Sequence, residues 1–560
     1  MGTVTSTPPR QTFTTFFVQL SRRTRTVTLP GDSRQSVSTP PAMPGCLGVA
    51  KTRLRLLRLL FLASWTCMAA HAMCPSRCVC DDENLRVVCD SAYLEVVPIT
   101  LNPNLRELSL LNNHIKSGVS SFSVYGNLRY LDVSHNQLVS LGKENFHSHK
   151  YLVVLVLARN MISQLDNTTF KGLDELQTLL LNENYIDSIP AGVFAPLKKL
   201  EKLDLSQNRL VRVTEQAFQG LTKLKTLLLR DNKFVTIPSQ AFAPLSFLLN
   251  LDLGLNMFSN IPEEAFVALK QLEELSLDGC GVKTVQNGAF RQLSALRQLK
   301  LHDNELEEVP TATFQDITRL EVLNLGQNKF PRLRPRAFEY LKYLRTLEVS
   351  GSAALRCIDR GAFAENTDLQ IIRMTHNINF RCIEPGAFSG LAGLKHLILR
   401  GNGFTTFDES LLEWYELQEL DLRDNPLVCN CTVLWLWHMC SDRNTTNSPL
   451  TPETALIRCG GGPPAVKDKL LRDIGSADLG CYDAVLRRQI IIGVVAAAAI
   501  LFALIVALGF RFRERVAGVL KNKWGNGTKE PQYHKTHGED DNSMCQVAHQ
   551  PLKLIPVTEL

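Results

Sequence analysis

Ten of the fifteen cysteines fall into three groups, and grouped thiols do one of two things: they ligate a metal or they oxidise to disulfides. Cys74, Cys78, Cys80 and Cys89 form a CxxxCxC run with one further cysteine. Cys429, Cys431, Cys459 and Cys481 form a second group, and Cys357 and Cys382 stand 25 residues apart. No histidine pattern accompanies them, and such clustering suits an oxidising compartment, so disulfides are expected rather than a metal or any other cofactor. Spacing leaves the pairing within each four-cysteine group open. Of the five others, two lie between Cys74 and Cys481: Cys280 reads as packed and Cys440 as a thiol open to reaction. The twelve histidines are dispersed, and no nucleophile motif or phosphate loop is present, so catalysis is not expected.

An oxidising compartment requires an export route, and the sequence supplies one. Lys51, Arg53, Arg55 and Arg58 precede the apolar run from Leu59 to Ala70, and Ala70-His71-Ala72 is a small-x-small cleavage site. Residues 43–72 therefore read as a signal peptide starting at Met43, with residues 1–42 an upstream extension. Ile490 to Phe510 is an uncharged run of 21 residues, long enough at about 1.5 Å per residue to cross a hydrocarbon core of about 30 Å. Arg511, Arg513, Arg515, Lys521 and Lys523 outnumber Arg487 and Arg488 on the other flank, which places the C-terminus in the cytoplasm and the chain in the plasma membrane as a single-pass protein. On the outer side Asn167, Asn430 and Asn444 lie in N-x-S/T sequons and are candidate glycan sites. Residues 511–560 are polar and aperiodic and read as a disordered tail. The tail ends Thr558-Glu559-Leu560, a hydroxyl two residues before a terminal aliphatic, which suits capture by a PDZ-domain scaffold.

The elements that hold these residues in place are written in a period. The pattern LxxLxLxxNxL begins at Leu105 and recurs fourteen times to Leu417, and from Leu128 to Leu344 every step is 24 residues. That length and pattern are those of leucine-rich repeats, in which each unit is a short strand and a looser return segment. One unit cannot bury its apolar edge alone; stacked copies can. The expected fold is an α/β solenoid: a leucine-rich-repeat horseshoe over residues 105–427 with a parallel sheet on its concave side, capped by disulfides at 73–104 and 428–482, plus one transmembrane helix. An asparagine column from Asn113 to Asn425, broken by Cys280, is expected to satisfy turn backbone. A phenylalanine column from Phe146 to Phe338 is expected to form an aromatic spine. Stacking also places Cys357 and Cys382 on neighbouring rungs about 4.8 Å apart, within disulfide reach.

On the concave sheet the residue between the second and third leucine of each repeat faces outward. Most members of this column are polar; Val156, Leu180 and Leu228 are not. Exposed aliphatics in a polar column mark a contact surface for another protein, with Arg159, Glu183, Arg230 and Asp231 beside them to set specificity. A formal net charge of +6 with scattered basic residues gives no footprint for nucleic acid.

The two cysteine groups resemble the N- and C-terminal flanking modules of extracellular leucine-rich-repeat proteins. That resemblance implies first-to-third and second-to-fourth pairing: Cys74 with Cys80, Cys78 with Cys89, Cys429 with Cys459, and Cys431 with Cys481. From Cys74 to the C-terminus the chain resembles the Tartan and Capricious leucine-rich-repeat adhesion receptors. The likeness rests on the fourteen repeats, the segment Val96-Val97-Pro98-Ile99-Thr100-Leu101-Asn102-Pro103, and the tail segments Glu530 to Thr536 and Ile555 to Leu560. It implies cell adhesion and recognition, with homophilic or heterophilic partners among cell-surface proteins, in neural targeting or tissue boundaries. A ligand-binding signalling receptor or co-receptor in immunity or growth-factor pathways is the alternative expectation.

Overall fold

A computed structural model describes residues 73–117, 122–441 and 449–523. The signal segment, the upstream extension, Asn444 and the Thr558-Glu559-Leu560 terminus lie outside the described residues. Each repeat contributes a three-residue strand whose middle residue, a leucine in every repeat but that of Ile372, is buried and whose flanking residues face outward, as in Val154–Val156 and Thr178–Leu180. Fourteen such strands, from Glu107–Ser109 to Glu419–Asp421, pair in parallel and in order. With the antiparallel hairpin Val79–Asp81 and Arg86–Val88 they complete a sixteen-stranded sheet. Register never slips: Leu131, Leu155, Leu179, Leu203 and Leu227 stand opposite one another down the stack. The cause is the repeat itself, because a one-residue shift would turn every buried leucine to the outer face.

Behind the strands the asparagine column satisfies the turns. Asn208 Nδ2 donates to the Leu181 and Leu205 carbonyl oxygens, both at 3.0 Å, while its Oδ1 accepts from the Ile186 amide at 3.0 Å. Each amide thus stitches its own turn to the previous rung. Asn377 belongs to this column as well, donating to the Val349 carbonyl, and Ser352 stands in for an asparagine one rung earlier. Cys280 keeps only the donor half, its Sγ lying 3.3 Å from the Leu253 carbonyl. The residue before each asparagine adopts a left-handed conformation, with φ of 53–56° at Arg159, Glu183, Gln207 and Asp231. On the far side the phenylalanines stack in pairs, with ring centroids 5.6 Å apart for Phe170 and Phe194, and the column extends through Phe363 to Phe388.

The ends are sealed differently. At the start the hairpin adds a parallel neighbour, Arg86–Val88, to the first repeat strand. At the finish an aromatic chain closes the core. Phe380, Phe404, Phe407, Trp414 and Trp435 contact one another in series, and helix α1 (Leu434–Ser441) lies across them. Helix α2, Tyr482–Lys523, has 42 residues; its segment Arg488–Arg511 has a mean hydropathy of 3.1 and is long and apolar enough to cross a membrane.

Replacing Cys280 with Asn is expected to restore an acceptor for the Phe258 amide and to raise unfolding free energy by about 1 kcal/mol. Asn304→Ala strands the Val282 amide and two carbonyls, and is expected to cost about 2–4 kcal/mol. Thermal melts of both variants beside the parent check the pair. His149 supplies a pH test. It is fully buried, with Nε2 3.0 Å from the Phe122 carbonyl and Nδ1 without a partner, and burial holds its pKa below the ordinary 6.5. The unfolded chain therefore binds the proton more readily. Stability from this group is complete above about pH 6.5 and is lost as pH falls toward the lower folded value. Melting temperature against pH should be flatter between 7 and 5 in His149→Phe than in the parent.

Candidate functional site

The outward residues of the concave strands form two columns. In one, Val156 and Leu180 are direct neighbours, Leu180 faces Asp204, and Asp204 faces Leu228. Val156, Leu180 and Leu228 are all half-buried, so each shows part of its apolar surface. Only the first two touch in register. The second column adds two residues that the sequence reading missed: Val154, opposite Thr178, and Tyr130, opposite Val154. Both are half-buried. The Tyr130 hydroxyl donates to Asp132 Oδ2 at 3.2 Å, and burial, with Asp132 second, pushes its pKa up to about 12. Reading the position before each central leucine, as well as the one after it, would have found them. Tyr130, Val154, Val156 and Leu180 thus form one continuous apolar patch over three rungs. Leu228 borders a separate depression of about 130 Å³ that also includes Asp252, Glu274, Ser276 and Lys300.

Charged groups rim the patch at the left-handed turn position. Arg159 Nε donates to Glu183 Oε1 at 2.6 Å, and the Arg159 guanidinium also reaches His135 Nε2 at 3.2 Å. Asp231 is exposed, 3.4 Å from the Gln207 side-chain amide. Arg230 differs from expectation. Its guanidinium is committed within the molecule, making a two-point contact with Asp278 at 2.6 and 3.0 Å and a longer one with Asp252 at 3.5 Å. The bridge spans two rungs because Gly254 lies between: a Cβ there would stand 2.2 Å from Arg230 Nη1. Asp278 is nearly buried; burial pushes its pKa up, but Arg230 and the Ser276 hydroxyl outweigh that and hold it below the usual carboxylate range. Arg230 is therefore a strut of the concave wall and not a free specificity contact.

The staples are distributed as follows. Cys74 is bonded to Cys80, Cys78 to Cys89, and Cys429 to Cys459. Cys357 and Cys382 sit opposite each other on a short three-stranded parallel sheet of the return side and are bonded, with Cα atoms 4.5 Å apart. The fifth expected pair departs from this: Cys431 and Cys481 stand as thiols. Both point at the Leu479 carbonyl oxygen, at 3.7 and 3.9 Å, so one acceptor holds the two sulfurs side by side instead of in S–S contact. Burial, with hydrogen bonding to Cys431 second, pushes the Cys481 thiol up to about 11. Cys280 is buried, and so is Cys440, against the expectation of a reactive thiol; burial pushes its pKa up to about 12. Asn167 is exposed. Asn430 is half-buried and caps the short turn Cys431–Val433 by accepting from the Thr432 amide at 2.9 Å, which leaves its Nδ2 to carry a sugar.

The profile of the family described as Leucine rich repeat matches residues 126–186, 174–234, 222–282, 270–330, 294–353 and 342–404. The solenoid is a leucine-rich-repeat array. Human oligodendrocyte-myelin glycoprotein is 32% identical over 120 residues, 21% of this chain and 26% of its own length. Leucine-rich repeat-containing protein 3B of Bos taurus is 34% identical over 126 residues, 22% of this chain and 40% of its own length. The matched stretches thus span 26% and 40% of these relatives, less than half of either. Among solved structures, the Toll of the Drosophila Toll–Spatzle complex matches with a TM-score of 0.53 at 23% identity over 67% of this chain and 57% of that one. TLR13 in its complex with ssRNA13 matches with a TM-score of 0.51 at 24% identity, over 68% of this chain and 61% of that one. At such identity the likeness is one of fold.

In protein recovered from cells, Cys431 and Cys481 are expected to be joined, since each already shares an acceptor with the other. Non-reducing peptide mapping should find their peptides linked; recovery of both as alkylated thiols would rule the bond out.

Proposed function

We propose that this chain is a single-pass cell-surface receptor that recognises other proteins through the concave face of its leucine-rich-repeat array. One observation carries the reading: Tyr130, Val154, Val156 and Leu180 form a contiguous apolar patch on a face whose neighbouring positions are polar. A folded chain gains nothing by leaving such side chains half-exposed, whereas a partner that covers them gains about 25 cal/mol per Å² of apolar area removed from water. Arg159, Glu183 and Asp231 on the adjoining rim favour a partner of matching charge. The ectodomain faces outward and the tail inward, as the basic residues from Arg511 to Lys523, after the apolar run, require. Sugars at Asn167, Asn430 and Asn444 fit that orientation, and Thr558-Glu559-Leu560 docks to a PDZ-domain scaffold. The function is adhesive recognition, with homophilic or heterophilic partners on apposing cells, and no catalysis is involved. Toll, in a complex with Spatzle, is a solenoid of the same kind that engages a ligand, so soluble-ligand signalling is the second reading.

Cells expressing the full chain are expected to aggregate with one another or with partner-bearing cells. Leu180→Asp combined with Leu228→Asp should abolish aggregation while surface delivery stays normal, because both positions are on the outer side of the sheet. Undiminished aggregation by the double variant would refute the assignment of the face. A parent that never aggregates but responds to added soluble protein would favour the second reading.

A further inference from the structure

Positive charge is not evenly spread over the solenoid. Residues 196–233 carry nine Lys and Arg against four Asp and Glu, a local surplus of five in a chain whose formal surplus is +6. Five of these cations, Lys198, Lys199, Lys202, Lys223 and Lys225, stand where two adjacent strands begin, and all five are exposed. The rungs are locked side by side, since the Lys225 amide donates to the Glu201 carbonyl and Lys202 faces Thr226. Two of the lysines have counter-ions: Lys199 with Glu175 at 2.5 Å, and Lys225 with Glu201 at 2.8 Å. Lys198, Lys202 and Lys223 make no ion pair among the described residues. Lys199 and Lys223 moreover occupy one repeat position on neighbouring rungs, about 4.8 Å apart in the stack, a placement that like charges disfavour. Elsewhere the same edge alternates its signs. Arg297, Glu321 and Arg345 follow one another down a single column, with Glu321 paired to both neighbours. Over rungs 198–225 the same neutralisation is partial: Lys199 and Lys225 are paired, while Lys198, Lys202 and Lys223 are left without a counter-ion among the described residues.

We propose that this lysine edge binds a sulfated polysaccharide. Lysine offers point charges on flexible stems, which match sulfate groups carried at intervals along an extended, flexible chain. The repeat position held by Lys199 and Lys223 is taken on the next rung by Phe247, 53% exposed, whose ring offers an apolar face to the C–H side of a sugar. A single-stranded nucleic acid is disfavoured, because its bases need successive aromatic platforms and this edge has one ring at its end. Lys202 stands on the rung next to Leu180, in the column of Tyr130 and Val154, so the edge adjoins the apolar patch; Leu180→Asp with Leu228→Asp and the lysine substitutions change different side chains.

Full-length protein in detergent micelles is loaded on immobilised heparin and eluted with a salt gradient. The parent should be retained above physiological ionic strength of about 0.15 M. Lys198→Gln combined with Lys202→Gln and Lys223→Gln should elute below it and lower the slope of log affinity against log salt by about two to three. Lys116→Gln combined with Lys270→Gln, elsewhere on the solenoid, should elute with the parent, and unchanged melting temperatures certify folding of both variants. Soluble heparan sulfate should displace the parent and unsulfated hyaluronan should not. Co-elution of the triple variant with the parent overturns the proposal, as does displacement by a single-stranded oligonucleotide at a lower charge concentration than heparan sulfate.

Discussion

The solenoid depends on one hydrogen-bonded unit repeated along its length: a buried primary amide that gives its protons to the carbonyls of two successive turns and takes an amide proton from the earlier one. Without it, every rung would bury turn backbone that neither strand pairing nor water can satisfy, at a cost of about 1–3 kcal/mol for each stranded group. With it, the chain reverses direction behind each strand, in a conformation that a non-glycine residue would otherwise avoid. The left-handed residues at Arg159, Glu183 and Asp231 are held by the asparagine that follows each of them. The charged rim of the sheet's outer face is thus a by-product of the element that makes stacking possible.

That dependence explains what the sequence made legible. Leucine and asparagine recur because each rung must solve the same burial problem, so period, sheet direction and cap positions could all be read from residue type. The Cys357–Cys382 staple followed from the same stacking. The reading failed where repeats depart from the mean. Ser352 keeps the step of 24 after Asn328 but is not an asparagine, and a 25-residue unit then moves Asn377 one place off that step. Tyr130 and Val154 escaped because only one outward column was inspected. Arg230 was assigned a free role because its partner Asp278 is 48 residues away, and the contact depends on the missing side chain at Gly254, a relation that no local pattern encodes.

The concave wall and the lysine edge illustrate two uses of the same scaffold. Side chains on either side of each buried central leucine are fixed by register, so apolar residues there make a rigid patch with little entropy left to lose on contact. Side chains at strand entries are long and exposed, and their charges act over a Debye length of about 8 Å without needing fixed geometry. A single curved array can therefore offer a shape-selective surface and a charge-selective one, only rungs apart, because each repeat position answers to a different physical demand.

The Cys357–Cys382 bond has a consequence for mechanical load. A solenoid pulled from its C-terminal end peels rung by rung, since each unit is held chiefly by its neighbour. Peeling from that end meets the covalent link at Cys382, and the segment between Cys357 and Cys382, a sequence separation of 25, is then bypassed by the load. The rungs upstream of Cys357, including those that carry both surfaces, are shielded until tension exceeds what the last unlinked units can bear. A tether that fails in this order would lengthen under strain while keeping its grip.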